Sequence, residues 1–380
     1  KLYLKEGEKM EKHRIVQVGL GNRGETAIKC FLQLSDRVEL VGVCELNEER
    51  LKKVSEKYEI EEKKRFKDVK QMLKSCRPDL FSFCTLPTIR LELIELASQY
   101  GVKGILFEKP MAASLEEAKK IIGLCRKKGL KAAVCHQHKY FQGFQRMKKI
   151  IDSGSIGKIT YIHASCQPWF SQLGTHYIDY AIWANGGHAP VSVAGHIHGR
   201  RMLDDTHPSP DYMLGKIVFS NGVHATVEFG YMAQSHQKHC ESYETQDFPI
   251  SFWEDDRLTV YGDTGYVWAE CNGRWGAFTK ETNGRIEGGK GNAYHDEVIN
   301  PQAQVLFTQE FLDWIDERRT DCACDVNLAY SGFETGIAII YSALRHTRVD
   351  LPLKSGTQKD ELKWMRQLLP ECPRRDFAKG

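Results

Sequence analysis

No run of apolar residues in this chain approaches the ~18 that a membrane-crossing helix needs, so no membrane partner is expected. Long basic blocks are missing too. With 53 Lys and Arg against 50 Asp and Glu the net charge is +3, and nothing in that balance points to nucleic acid. The 12 cysteines include no Cys-x-x-Cys pair, and Cys322-Ala323-Cys324 alone makes a poor metal site, so no metal is expected. Many cysteines lie inside apolar runs such as Leu80-Phe81-Ser82-Phe83-Cys84, where a thiol behaves as a small hydrophobe. Reduced thiols fit a cytoplasmic protein. The stretch from Lys1 to Lys9 is charged and lacks the apolar core of a secretory signal. Residues 1–11 read as a tag or disordered start, with Met10 as the initiator.

What is present is a globular composition, 41% apolar and 27% charged, in a chain of 380 residues, too long for one ordinary core. Two domains are expected, residues 12–138 and 139–380. The first alternates strand and helix signals, the mark of βαβ units and a parallel sheet. Its strands read as Arg14–Gly19, Val38–Cys44, Leu80–Cys84, Lys103–Phe107 and Lys131–Cys135, continuous apolar runs suited to burial on both faces. Amphipathic helices fall between them, as at Asn47–Tyr58 and Ser114–Lys128, the second opened by the capping box Ser114-Leu115-Glu116-Glu117. From Lys158 the pattern changes to longer strands joined by turns, Ser220-Asn221-Gly222 and Asp263-Thr264-Gly265 among them. Helices follow at Gln302 to Asp316, Leu328 to Arg345 and Asp360–Leu369. The fold class is therefore α/β, a doubly wound nucleotide fold followed by an α+β domain.

The first strand runs into Gly19-Leu20-Gly21-Asn22-Arg23-Gly24, a glycine turn that opens a helix, and Glu45 closes the next apolar run about twenty residues later. Gly19 permits the tight turn, Gly21 lets the backbone approach a pyrophosphate, and Gly24 allows close helix–strand packing. The diphosphate would then lie over free amide groups at the helix start. A carboxylate at Glu45 accepts ribose hydroxyls and repels a 2′-phosphate, and neither Leu46 nor Asn47 offsets it, so the expected cofactor is NAD rather than NADP. Ligands of such sheets bind outside the carboxyl ends of the strands. That adds Thr85-Leu86-Pro87, Glu108-Lys109-Pro110 and His136-Gln137-His138 to the candidates. Lys109, a cation at the end of a buried strand, is placed to hold a substrate oxygen.

These motifs, in this order, resemble the Gfo/Idh/MocA family of glucose–fructose oxidoreductase, inositol dehydrogenase and rhizopine-catabolism proteins. The resemblance implies a Rossmann domain followed by a domain with a large, mostly antiparallel sheet, Lys109 in the catalytic set, and a cis bond before Pro110. It continues through Ile150 to Ile159 and through Gly174-Thr175-His176-Tyr177-Ile178-Asp179, similar to the family's G-x-H-x-x-D helix, which makes His176 the acid–base with Asp179 one turn on. Three positions depart from the family pattern. Gln172 stands where an aspartate is common, Arg90 where a histidine often follows Thr-x-Pro, and Lys139 where an arginine is frequent. Trp169 and Phe170 precede the His176 helix and Tyr177 and Tyr180 lie on it, aromatics that suit the C–H face of a pyranose. His236, His239 and Cys240 lie in a long loop without a carboxylate at helical spacing, which speaks against a metal.

The expected function is an NAD-dependent oxidoreductase working on a secondary hydroxyl or ketone of a sugar or cyclitol, with His176 as acid–base and Lys109 as the oxygen-binding cation. Trp169, Gln172 and Tyr177 complete the expected substrate contacts. The same resemblance includes glycoside hydrolases that use NAD without net consumption, through transient oxidation at C3 and elimination, and this is the alternative. A nucleotide-sensing regulator is a third reading, against which the presence of Lys109 and His176 argues. A broad sheet in the second domain needs covering, so a homodimer or homotetramer is expected.

Overall fold

A computed structural model describes residues 11–236, 252–283, 285–291, 301–354 and 361–371. The first six strands are β1 (His13–Val18), β2 (Val38–Cys44), β3 (Arg65–Phe66), β4 (Leu80–Phe83), β5 (Gly104–Phe107) and β6 (Lys131–Val134). They form one parallel sheet in the order β3-β2-β1-β4-β5-β6, so the strand order reverses between β1 and β4. Every residue of β4 and β5 is buried, as continuous apolar runs require. The helix Leu115–Lys128 starts as expected: Glu117 N–H donates to Ser114 Oγ at 3.2 Å. The Glu117 carboxylate reaches back to Ala113 N–H, one residue earlier than the usual box.

The remaining strands are β7 (Ile159–Cys166), β8 (Pro190–His198), β9 (Tyr212–Phe219), β10 (His224–Gly230), β11 (Asp256–Gly262), β12 (Tyr266–Ala269), β13 (Arg274–Phe278), β14 (Ile286–Lys290) and β15 (Val349–Asp350). Among the described residues they make a nine-stranded sheet in the order β14-β13-β12-β11-β7-β10-β9-β8-β15, antiparallel except between β7 and β10. One face carries Ile162, Ala164, Val227 and Val260, fully withdrawn from water. The helices Thr175–Ala184 and Val326–Arg345 pack on this sheet. Gly215 makes the second of these contacts possible, because a Cβ there would collide with the Ile339 side chain. The opposite face is wetter, and carries a row of aromatics that meet directly across four strands: Tyr161, Tyr261, Tyr266 and Phe278.

Three things went unseen in the sequence. The short strands β3 and β15 are too brief to show a period, and β14 reads Ile-Glu-Gly-Gly-Lys, exposed throughout, with nothing to alternate. The helices Val69–Cys76 and Arg90–Ala97 fall between strands, where helices are expected, though without bounds of their own, and Gln142–Asp152 ends inside the stretch Ile150 to Ile159 that the resemblance reads as a helix end leading into the second sheet. A single cut after residue 138 also does not describe the chain. One compact unit takes Lys1–Glu108, Lys120–Cys135 and Asn300–Asp325, and the other takes Lys109–Lys119, His136–Ile299 and Val326–Gly380.

The returning segment belongs to the first unit for a visible reason. Gly104 leaves room where any Cβ would press on Phe311 and Ile315 of the helix Gln302–Ile315, so that helix lies directly on β5. Cys30 Sγ donates to Thr308 Oγ1 at 3.3 Å. Arg37 pairs with Asp313 and with Asp316, both at 2.7 Å, and His13 Nε2 meets Asp316 at 2.7 Å. Burial works to raise the Asp316 pKa, but His13 and Arg37 outweigh it and hold the carboxyl below its usual value. A depressed carboxylate contributes stability that is present above the unfolded pKa and lost as pH falls through the folded one. Asp316→Asn should therefore lower stability by about 1–3 kcal/mol at neutral pH and by little near pH 3, which denaturant titration at the two pH values will show.

Candidate functional site

In the first unit, the turn after β1 assigns a separate task to each glycine. Gly19 has φ +77°, and a Cβ on it would collide with the Cys84 carbonyl. Gly24 approaches the Gly19 carbonyl so closely that no side chain fits, which brings helix Asn22–Gln33 against β1. Gly21 has nothing within 4 Å of its Cβ direction, an open cradle at the point where the helix begins. Gly21 is also the N-cap, and as glycine it gives the first turn of the helix no side-chain cap. Free N–H groups, the positive end of the helix dipole and open space are what a diphosphate requires. These residues fit a dinucleotide.

Glu45 follows β2 and faces this turn. Its Oε2 accepts the N–H of buried Leu20 at 2.9 Å and its Oε1 the N–H of Asn47 at 3.0 Å. Burial pushes its pKa up, but the Asn47 and Leu20 amides and the Arg50 guanidinium, 3.4 Å away, outweigh that and hold the carboxyl below its usual range. Oε1 accepts a single hydrogen bond and keeps a lone pair, so the ionised group remains able to accept a ribose hydroxyl. The cation beside Glu45 thus comes from Arg50 in the first turn of the helix Glu48–Lys57, and not from the adjacent Leu46 or Asn47.

At the carboxyl ends of β4 and β5, Leu86 is exposed while Pro87 is buried at the head of a short turn, Pro87–Ile89. Arg90, almost wholly buried, donates to the Thr85 carbonyl at 2.8 Å and to the Glu108 carbonyl. Burial lowers its pKa to about 10, with Glu108 acting in the opposite direction. Arg90 is therefore a backbone clamp joining two strand ends, and not a cation displayed to an acidic substrate. The Glu108 carboxylate accepts from Arg23 Nε at 2.7 Å, and Arg23 Nη2 also meets Gln304 Oε1 at 3.0 Å and Cys135 Sγ at 3.3 Å. Burial opposes the charge on Arg23, but Glu108 overrides it and raises the guanidinium pKa well above its ordinary value.

In the second unit, the bond between Lys109 and Pro110 is cis, as the family resemblance implies. Lys109 Nζ donates to the Gln172 carbonyl at 2.7 Å, and Gln172 Oε1 is 3.4 Å from the same nitrogen. Gln172 lies in a π-helical turn, Phe170–Gly174, that runs directly into the His176 helix. Gly174 packs on the Phe229 ring, where a Cβ would intrude. Trp169 heads this turn, half-buried, its ring 5.7 Å from that of Trp253 and 6.5 Å from that of Phe252. The Gln172 amide nitrogen lies 3.4 Å from His207 Nδ1.

His176, only 2% exposed, has its Nδ1 2.7 Å from the Tyr180 hydroxyl, one turn along the same helix. Two more imidazoles pack on it: His138 stacked at 4.9 Å and His136 tilted at 4.6 Å between ring centroids. Gln172 and Asp179 are the residues expected to orient His176 or a neighbouring hydroxyl, and the Asp179 carboxylate is taken by Lys139 and, at 3.2 Å, by His136. The reason is electrostatic. Lys139 and Asp179 are both wholly buried, and a buried ammonium claims the nearest carboxylate. Burial acts to raise the Asp179 pKa, yet Lys139 and His136 hold it down. Tyr177 was expected to face substrate; it is buried, its hydroxyl 3.8 Å from Cys271 Sγ, while Cys271 Sγ lies 3.0 Å from His138 Nδ1. Gln137 is buried in the short turn Gln137–Tyr140 that carries these histidines.

Of the loop residues considered for a metal, His236 bonds through Nε2 to Ser165 Oγ at 2.7 Å, while His239 and Cys240 fall outside the described residues. Among the described residues no group of three or more potential ligands gathers. No described helix is long and apolar enough to cross a membrane.

A six-stranded sheet in this order, with a glycine turn at its reversal point and an acidic residue closing β2, defines the dinucleotide-binding class. A model of the oxidoreductase family with an NAD-binding Rossmann fold matches residues 13–136, and the GFO/IDH/MocA C-terminal domain matches residues 144–268. The chain belongs to the Gfo/Idh/MocA family, and its first unit is an NAD-binding Rossmann fold. It is 26% identical to D-apiose dehydrogenase of Paraburkholderia graminis over 38% of this chain and 43% of that one. It therefore spans less than half the length of that relative. It is 23% identical to D-glucoside 3-dehydrogenase of Escherichia coli K12 over 55% of this chain and 67% of that one. An oxidoreductase of Agrobacterium radiobacter, solved with NAD+, L-tartaric acid and magnesium, shares the fold with a TM-score of 0.73 at 17% identity, across 90% of this chain and 98% of that one.

Asp256, wholly buried behind the His176 helix, accepts Cys271 N–H at 2.8 Å. Burial pushes its pKa up to about 8, against the pull of Cys271 N–H and Tyr177. A raised carboxyl favours the folded state at low pH and withdraws that contribution as pH rises toward the folded pKa. Asp256→Asn should gain melting temperature relative to the native protein as pH moves from 5 to 8, and a calorimetric pH series checks the sign.

Proposed function

We propose that this chain is an NAD-dependent oxidoreductase for a secondary hydroxyl or ketone of a sugar or cyclitol. The observation that carries the reading is that Lys109 Nζ is held by the carbonyl of Gln172, four residues before His176, so ammonium and imidazole belong to one turn and helix. Bound NAD supplies the hydride acceptor or donor, and the protein supplies alignment and proton traffic. Lys109 binds the reacting oxygen and stabilises the negative charge that grows on it. His176 takes or returns the hydroxyl proton at Nε2, which requires its Nδ1–H to donate to Tyr180. Asp179 acts on the neighbouring lysine and histidine rather than on His176, and Trp169 and Gln172 line the substrate. Replacing either Lys109 or His176 by alanine should cut kcat/KM on D-xylose, myo-inositol or methyl glucoside by about 10²–10⁴, with NAD affinity retained. Unchanged turnover in both variants would refute the assignment.

A second reading, an NAD-dependent glycoside hydrolase, is supported by the similarity to a D-glucoside 3-dehydrogenase and by the amide at Gln172, which holds no charge. Absorbance at 340 nm with a nitrophenyl glycoside separates the two. Nitrophenol without NADH supports the hydrolase, and stoichiometric NADH supports the dehydrogenase.

The aromatic row across β7, β11, β12 and β13 ends in register at Ile286 of β14, and both Tyr261 and Ile286 are exposed. A second copy of the chain covering this face gives the homo-oligomer. Sedimentation should show assembly in the native protein and a shift toward monomer in Tyr261→Asp.

A further inference from the structure

Arg23 lies in the glycine turn itself, yet its guanidinium points away from the helix axis and toward the far strands. It meets Glu108 after β5, Cys135 after β6 and Gln304 of the returning helix, all within the first unit. Because β4 separates β1 from β5, this side chain crosses the carboxyl end of the sheet on the side opposite Glu45. Glu45 at the end of β2 marks the adenosine side, since the acidic residue after the second strand is the ribose ligand. With the diphosphate over the helix start, the other half of the dinucleotide falls on the β4–β5 side, where Arg23 and Glu108 form an ion pair. Only the oxidised nicotinamide carries a positive charge.

We propose that Arg23 is a positioning residue that fixes and neutralises the Glu108 carboxylate on the side of the sheet that would receive the nicotinamide, and so sets the relative affinity for NAD+ and NADH. Without the guanidinium, the Glu108 charge attracts the nicotinium and tightens NAD+ over NADH. Without the carboxylate, Arg23 repels the nicotinium and the preference reverses. The pair does not depend on which substrate the second unit binds.

The test uses the full chain at low ionic strength and pH 8.5, where a carboxylate without its partner stays ionised. Affinity for NADH is read by fluorescence and for NAD+ by competition. Arg23→Met should raise the ratio of the NADH Kd to the NAD+ Kd about fivefold, the size of a unit-charge interaction at roughly 8 Å in an intermediate dielectric. Glu108→Gln should lower it by a similar factor, and Arg23→Met with Glu108→Gln should return it to the native value. A purely structural role predicts parallel changes in both affinities, with the single and double Arg23 variants alike, and that result overturns the proposal. If Arg23→Met does not fold, Glu108→Gln alone decides, because a native ratio in that variant overturns it equally.

Discussion

Lys139 and Asp179 are both wholly removed from water, and each is tolerable there only because of the other. Losing one partner of such a pair leaves an uncompensated buried charge, at a cost of about 3–5 kcal/mol. The pair therefore dictates much of what surrounds it. It turns Asp179 away from His176, draws in His136, and stacks Tyr180 and Trp183 under the lysine at 5.9 and 5.8 Å. With the carboxylate spent, His176 takes its fixed partner from a hydroxyl one turn on, and its ring is held by two further imidazoles. The acid–base candidate is thus oriented by a hydroxyl and by ring packing, and not by a carboxylate of its own.

The two units handle charge differently. In the first, the chemistry rests largely on backbone: a turn of glycines, free amides at a helix start, and a carboxylate anchored by two N–H groups. Buried Arg90 and half-buried Arg23 tie strand ends together. In the second, the chemistry is carried by side chains on one turn and one helix, held against a sheet whose glycines admit close packing.

The sequence was most legible where a single residue type answers a single steric demand. Gly19 makes the tight turn and Gly24 the close helix–strand packing that their spacing implied, Gly21 stands open, and Val38–Cys44 and Tyr212–Phe219 appear as strands with the expected ends. It was least legible where partners meet through the fold. Nothing near Asp179 in the chain shows that Lys139, forty residues earlier, claims its carboxylate. The departures at Arg90 and Lys139 were visible as unusual residues, but their tasks as a carbonyl clamp and a buried counter-charge follow from burial alone. Tyr177 looked like a sugar platform because aromatics serve sites and cores alike; the sheet behind the helix made it core.

The return of the helix Gln302–Ile315 to the first sheet carries a consequence for synthesis. All of His136–Ile299 leaves the ribosome before that helix does, which at cellular elongation rates takes roughly ten to thirty seconds. Through that interval Gly104 and Cys30 lack the layer that later covers them. The nascent Rossmann unit is a sheet with one side unfinished, a natural client for a chaperone, and its nucleotide-binding half matures only when the second unit has been made.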